Sequence, residues 1–117
     1  NVTDILDGAF GDCKNLKTIN IPENVQTLHY KAFRGCKNLD FNLSVDNPYL
    51  IYYEGLVYQK SNWSLSYVPM NKSGNWILNE NLTRIENNQF EKCVNLESIV
   101  IPDNVTSIGS YFTFAFL

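Results

Sequence analysis

The sequence predicts a β-rich solenoid, in which short similar coils stack so that their strands align in a parallel sheet. The first observation behind this prediction is a pattern of 23 residues that recurs in residues 2–24, 25–47 and 82–104 of the 117-residue chain. The second is that apolar residues hold the same places in each copy. A unit this short cannot enclose a core alone, so its copies are expected to bury their apolar residues by stacking.

Six columns of residues recur across the three copies. They are Val2, Val25 and Leu82; Ile5, Leu28 and Ile85; Phe10, Phe33 and Phe90; Cys13, Cys36 and Cys93; Asn15, Asn38 and Asn95; Leu16, Leu39 and Leu96. Core packing is the role we expect for these columns. The asparagine column is predicted to form an internal ladder whose side-chain amides satisfy buried backbone groups of the turns.

The spacing within a copy predicts the local structure. In Leu16–Ile21 the last two apolar residues alternate with a polar one, which is the period of a strand with one buried face. Pro22 supplies no hydrogen-bond donor, so the strand should end there. The apolar pair that opens each copy predicts a second, weaker strand. Phe10 and Cys13 are three apart, which predicts a short helical or 3-10 turn.

Three positions depart from the pattern. In the second copy Phe41, Leu43 and Val45 alternate one residue out of phase, which predicts a bulge or a rebuilt strand, because a slip of one residue turns each side chain to the other face. Gln89 stands where the first two copies have alanine, and Asn79 stands at the position of Pro22 and Pro102.

Residues 48–81 occupy one repeat slot but are 34 residues long. Their alternation predicts two strands near 56–60 and 64–68, joined by the polar turn 61–63 as a β-hairpin insertion. Residues 76–81 then re-enter the regular repeat. The predicted organisation is one solenoid domain, 1–117, with repeats 2–24, 25–47, 48–81, 82–104 and a partial 105–117, expected to be a fragment of a longer repeat protein.

These columns resemble the BspA-like class of leucine-rich repeats, whose consensus is similar to NLxxIxIPxxVxxIxxxAFxxC. The resemblance covers residues 2–47 and 82–110 closely, and residues 47–49 and 54–58 are similar to motifs of islands found within such proteins. It implies a right-handed leucine-rich-repeat superhelix with a parallel sheet on the concave side. It also implies a surface or secreted protein that adheres to host proteins and cells.

The insertion is rich in tyrosine and tryptophan, which favour two interpretations. These residues are common at binding hot spots, so they are candidate contacts for a protein or a glycan. They also suit a cover over the sheet edge and the outer ladder, and we favour this packing role for most of them. The residues are Tyr49, Tyr52, Tyr53, Tyr58, Trp63, Tyr67 and Trp76.

Exposed strand positions are the other candidate contacts, because repeat folds offer long concave surfaces. The positions are Lys17, Thr18, Asn20, Glu97, Ser98 and Val100.

The charge pattern and the sequence motifs exclude some partners and indicate a compartment. A net charge of −3, spread along the chain, gives no basic stripe for nucleic acid. No apolar run approaches the roughly 18 residues that span a bilayer. Glycosylation motifs favour an exported protein. They lie at Asn1, Asn42, Asn62, Asn71, Asn81 and Asn104.

No catalytic, metal or cofactor motif is present in the sequence. The three cysteines lie too far apart for a zinc site and are expected to be free and buried. His29 is expected to be a surface or corner residue. We therefore predict a non-enzymatic protein without a cofactor, whose role is adhesion or protein recognition at the cell surface or after secretion.

Three alternatives stay open. The same fold could serve as an intracellular scaffold, or a hydrolytic domain could reveal clustered acids in a pocket. Residues 111–117 could be an aromatic cap, the start of a membrane segment or the edge of a longer array. The exposed ends of the solenoid could also mediate self-association.

Overall fold

Short strands follow from a sequence in which apolar and polar residues alternate only briefly between turns. The computed structural model describes residues 2–87, 89–90 and 93–109. Within them the strands are β1 Asp4–Ile5, β2 Thr18–Ile21, β3 Thr27–Leu28, β4 Asp40–Leu43, β5 Leu50–Tyr53, β6 Leu56–Gln59, β7 Leu65–Tyr67, β8 Gly74–Ile77, β9 Arg84–Ile85, β10 Leu96–Val100 and β11 Ser107–Ile108. The two-residue strands β1, β3, β9 and β11 are the weak strands that the opening apolar pairs predict.

The repeated segments stack as parallel coils. Before the insertion β1 pairs with β3 and β2 pairs with β4, and after it β8 pairs with β10 and β9 pairs with β11, all parallel. Ile5 lies opposite Leu28, and Ile85 lies opposite Ile108, so one repeat separates each pair. The predicted solenoid is therefore confirmed.

The second copy absorbs its phase slip without a bulge. Ile19 pairs with Phe41 and Ile21 with Leu43, at a spacing one residue shorter than the repeat. The two strands thus keep matching residues on the same face, and the extra residue is taken up in the following turn, where Val45 is almost fully exposed. A bulge does occur in the solenoid, but in β10, between Leu96 and Ser98.

The predicted helical or 3-10 turns are hydrogen-bonded turns, and no helix occurs in the described ranges. In each turn the cysteine N–H donates to the phenylalanine carbonyl three residues earlier. The distances are 3.3 Å for Cys13, 3.0 Å for Cys36 and 3.2 Å for Cys93. Further bonds of the same span lie beside it, as where the Leu16 N–H donates to the Cys13 carbonyl at 3.0 Å.

The insertion forms an antiparallel meander, β5–β6–β7. The predicted hairpin of β6 and β7 is confirmed, while β5 was not predicted. The meander fills a place in the stack: Val57 packs in the core of the first two coils, whereas Leu56 and Tyr58 pack in the core of the later coils. The parallel strands therefore form two halves, which the antiparallel sheet of the insertion separates.

Side-chain hydrogen bonds join the meander to both halves. On one side Ser66 Oγ donates to the Leu28 carbonyl at 2.7 Å. On the other side Gln89 Nε2 donates to the Leu65 carbonyl at 2.8 Å, and the backbone N–H of Asn79 donates to the Tyr58 hydroxyl at 3.1 Å. These contacts explain why positions 79 and 89 depart from the repeat pattern.

Two core predictions need correction. Cys36 and Cys93 are free and buried as expected, but Cys13 is exposed. The asparagine ladder is also wrong at the predicted column, since Asn15, Asn38 and Asn95 are all exposed.

A different asparagine performs the predicted task. Asn47 is fully buried, and its Nδ2 donates to the carbonyls of Pro22 and Val25 at 3.0 and 2.9 Å. Its Oδ1 accepts from the backbone N–H groups of Tyr49 and Leu50, both at 2.8 Å. Asn47 therefore satisfies backbone carbonyls in the turn of the preceding coil and backbone N–H groups at the start of β5. Only a residue at the end of a repeat can reach both.

Candidate binding surface

The outward side chains of the longer strands form two groups on either side of the meander. In the first half Thr18 lies beside Asp40, and Asn20 lies beside Asn42, whose Nδ2 donates to Asn20 Oδ1 at 3.3 Å. All four are exposed, and so is Lys17 next to them. This half thus presents a polar surface.

The second half presents a mixed surface. Ser98 Oγ donates to Asn75 Oδ1 at 2.6 Å. One step along the strands Ile77 lies beside Val100, and these apolar side chains are 67% and 55% exposed. Glu97 is exposed as well. The alternation in Trp76-Ile77-Leu78, with its neighbours buried, is the sequence signal that could have identified Ile77 as a surface residue.

The turn between β5 and β6 places two tyrosines at this surface. Glu54 and Gly55 have φ angles of 51° and 83°, and the flanking Tyr53 and Leu56 pair directly. Positive φ at both central residues is the geometry of a tight type I′ hairpin, which glycine at the second position favours. The turn therefore holds Tyr52 and Tyr53 close to the chain reversal, and both are exposed.

Each of these tyrosines rests on neighbouring rings, Tyr52 on the buried Phe41 and Tyr53 on the half-buried Trp63 and the buried Tyr58. The Tyr52 ring meets Phe41 edge-on at 6.1 Å, and the Tyr53 ring meets Trp63 edge-on at 5.9 Å between centroids. Partial burial, with the negative charge of Asp40 as a second cause, raises the pKa of Tyr52 above its ordinary value.

The remaining aromatics of the insertion divide between core and surface. Tyr58, Tyr67 and Trp76 are buried, and burial raises the pKa of both tyrosines. Trp63 is half-buried against Tyr58, so the packing interpretation describes these four residues. Tyr49 is exposed, at the opposite end of β5 from the tight turn.

A groove of about 510 Å³ lies between the tight turn and β8. Its lining includes Tyr53, Glu54, Lys72, Ile77 and Glu80. Of these, the sequence had indicated only Tyr53, because the groove forms where the meander meets β8 and no repeat column marks that junction. A neighbouring groove on the other side of Lys72 includes Asp40, Tyr52 and Asn71.

Lys72 is held in place between the two grooves. Its ammonium lies 5.6 Å from the centroid of the Trp76 ring, within the range of a cation–π contact. It also lies so close to Gly55 that a side chain at that position would collide with it. The turn therefore favours glycine at 55, and the flexible end of Lys72 would have to move to admit a larger residue there.

The glycosylation motifs that the structure describes are all exposed, and Asn1 lies outside the described residues. Asn62 forms a local turn in which its Oδ1 accepts from Ser64 N at 3.0 Å. In Asn42 and Asn104 the amide nitrogen that a glycan would occupy donates a hydrogen bond, to Asn20 and to the Glu80 carbonyl respectively. The exposed motifs are Asn42, Asn62, Asn71, Asn81 and Asn104.

No other chemistry is assembled in residues 2–87, 89–90 and 93–109. They contain no group of three or more potential metal ligands and no helix long and apolar enough to cross a membrane. His29 is partly buried, stacks on Tyr30 at 4.6 Å, and accepts a hydrogen bond at Nδ1 from the Lys31 backbone.

Three solved structures share this fold. A leucine-rich repeat protein from Eubacterium ventriosum is 25% identical with a TM-score of 0.68, over 80% of this chain and 26% of that one. A leucine-rich cell surface protein from Faecalibacterium prausnitzii is 25% identical with a TM-score of 0.72, over 92% and 35%. The pneumococcal vaccine antigen PcpA is 21% identical with a TM-score of 0.72, over 86% and 26%, and this likeness shows the fold alone.

The chain thus spans about a quarter to a third of the length of these solved chains. Among curated proteins no sequence matches significantly. A family model described as a BspA type leucine-rich repeat region of six copies matches residues 1–115. The chain therefore belongs to the BspA type leucine-rich repeat family.

Proposed function

We propose that this chain is a non-catalytic recognition module, displayed at a cell surface or secreted, that binds a host or extracellular-matrix protein. The observation that carries the proposal is the exposure of Tyr52 and Tyr53 beside the tight turn, where each lines a groove together with an outward strand residue of one half, Asp40 for Tyr52 and Ile77 for Tyr53. Large rings anchored on buried neighbours lose little conformational freedom on binding, which makes such residues effective contacts.

Family and relatives support the surface location. The Faecalibacterium relative is a cell surface protein, and the exposed glycosylation motifs suit a chain that passes through a secretory route. Strand contacts at Lys17, Thr18, Asn20, Glu97, Ser98 and Val100 would extend the surface on both sides of the tyrosines.

The test is binding of the purified chain to immobilised extracellular-matrix proteins and to intact host-type cells. A Tyr52→Ala/Tyr53→Ala variant should lose most of the binding while its circular dichroism stays unchanged. Tyr49→Ala is the matched control, because it removes an equally exposed ring at the far end of the same strand. Equal loss in both variants, or no binding by the wild type, would contradict the proposal.

A separate measurement distinguishes surface display from an intracellular scaffold. Surface biotinylation of intact source cells should label the protein, and mass spectrometry should find a glycan at Asn62 or Asn71 if the source organism uses this pathway. A protein protected from the reagent until the cells are lysed would favour the scaffold.

A further inference from the structure

The groove beside the tight turn combines an apolar wall with two carboxylates. Tyr53 and Ile77 line it, and Val100 continues the exposed apolar surface on the neighbouring strand. Glu54 and Glu80 line it as well, and both are exposed. Neither carboxylate forms an ion pair with any residue that the structure describes, whereas Arg84 and Glu86 do pair nearby at 2.8 Å.

Lys72 lines the same groove but forms no ion pair with either acid in the part of the chain that the structure describes, and its ammonium lies near the Trp76 ring and Gly55. It also supplies the groove with a hydrogen-bond donor. The groove therefore has an apolar wall, two carboxylate acceptors and a single cationic donor.

From this arrangement we propose that the groove binds an extended polypeptide segment that carries an arginine side chain. The aliphatic stem of arginine would lie on Tyr53 and Ile77, and its guanidinium would reach Glu54 and Glu80 as a planar donor suited to carboxylates. Lys72 would donate to a backbone carbonyl of the segment. This inference rests on the proposed recognition function and names the chemistry of the partner at this part of the surface.

The repeat itself supplies a control for the carboxylate role. Glu23 occupies the same position of the first coil as Glu80 does two repeat slots later, since both precede the asparagine that ends a repeat. Glu23 is exposed but does not line the groove. Replacing it changes the net charge and the turn in the same way without altering the proposed site.

The experiment titrates nitrogen-15 labelled chain with a blocked peptide of sequence Ala-Leu-Arg-Leu-Ala, followed by two-dimensional NMR. The backbone amides of Glu54, Gly55 and Ile77 should shift, while those of His29 and Tyr30, in a separate groove, should not. A peptide with glutamine in place of arginine should bind about five- to tenfold more weakly.

Variants then assign the charge dependence. Glu54→Gln/Glu80→Gln should weaken arginine-peptide binding by about five- to tenfold and abolish the preference over the glutamine peptide, while Glu23→Gln should match the wild type. Since all three positions are exposed, these changes preserve the fold, which the NMR spectrum itself verifies.

Three results would overturn the inference. The first is equal affinity for the arginine and glutamine peptides. The second is amide shifts that neutral oligosaccharides cause and neither peptide causes, which would assign the groove to glycans. The third is cell or matrix binding that survives in the Glu54→Gln/Glu80→Gln variant, which would leave the recognition function standing while this inference fails.

Discussion

The two halves of the solenoid are built from the same repeat but meet different neighbours. In the first half the turn after β2 begins with Pro22, and the alanine at position 32 accepts a backbone bond from Phe10 of the adjacent coil at 2.9 Å. In the second half the corresponding places hold Asn79 and Gln89, which bond to the meander. A repeat therefore keeps its consensus where it meets another repeat and departs from it where it meets something else.

The exposed faces differ in the same way. Among the outward residues of the longer strands, Asn20 lies beside Asn42 in the first half, and Ile77 lies beside Val100 in the second. All four side chains are exposed, so the two halves differ here in side-chain chemistry. One scaffold thus carries a polar surface and an apolar surface on either side of a pair of tyrosines.

The largest expected difference in stability between the two halves is at the phenylalanine column. Phe90 is fully buried in the second half, so Phe90→Ala should lower the free energy of unfolding by about 3–5 kcal/mol. Phe10 is partly exposed in the first coil, so Phe10→Ala should cost about half as much or less. Urea denaturation measures both, and equal losses would mean that the first coil is as well packed as the fourth.

Restoring proline at position 79 should be the next most damaging change. Asn79→Pro removes the backbone N–H that donates to the buried Tyr58 hydroxyl, and the proline ring would occupy the place of that hydrogen. We therefore expect the free energy of unfolding to fall by about 2–3 kcal/mol. Pro22→Asn, the reverse change in the first half, should cost less than about 1 kcal/mol.

A double-mutant cycle isolates this contact. Tyr58→Phe alone leaves the Asn79 N–H without its partner, so the two changes together should cost clearly less than the sum of the single changes. Strict additivity in thermal or urea unfolding would show that the hydrogen bond is not the reason for asparagine at this place.

A smaller effect on the free energy of unfolding is expected at the other contact between the meander and the second half. Gln89→Ala restores the consensus residue but leaves the Leu65 carbonyl without its donor and the Glu86 N–H without its acceptor, at a cost of about 1–2 kcal/mol. Gln89→Glu is a second variant, because it keeps the acceptor for Glu86 N–H but places a carboxylate oxygen where the donor to the Leu65 carbonyl was. Gln89→Glu should therefore lower the free energy of unfolding as well. A change in side-chain volume could not cause this, because glutamate and glutamine are nearly equal in size.

The smallest effect on stability near neutral pH concerns the buried Cys93 thiol. This effect becomes larger at alkaline pH. Burial raises the pKa of Cys93 from 9.0 to about 12. The unfolded chain therefore loses this proton first, so the stabilisation is complete below about pH 9 and is lost as the pH rises toward 12. Cys93→Ala should make the decline in stability above pH 9 shallower than in the wild type, as followed by urea midpoints, and an unchanged decline would exclude this thiol as its source.

Much of the fold could be predicted because residues that contact the next coil recur at the same position in every repeat. A residue that meets the same column in the next coil is constrained in every copy, so the strands, the turns and the stack follow from Phe10, Phe33 and Phe90 and their companions. The burial of Cys13 was predicted wrongly for the same reason. A column identifies residues that can stack, but it does not say whether a coil is covered on both sides.

The candidate surface was harder to predict, because it depends on contacts that occur once. Tyr52, Tyr53 and Tyr58 lie close together in the sequence with similar chemistry, yet the first two are exposed and the third is fully buried. Their separation is decided by a two-residue turn and by the position of β6 between two cores. Strand alternation within β8 did carry enough information to place Ile77 outward, whereas Lys72 and Glu80 reach the groove only through the folded meander.

The position of β6 has a consequence for how the molecule unfolds. In an uninterrupted stack of repeats each unit is stabilised mainly by its neighbours, and unfolding can begin at an end and proceed unit by unit. Here Val57 belongs to one core and Leu56 and Tyr58 to the other, so neither half can release this strand without exposing apolar surface of both. We expect amide hydrogen exchange to be slowest in β6 and its two neighbours, and the whole stack to lose its structure in one cooperative step centred on the part of the chain that is not a repeat.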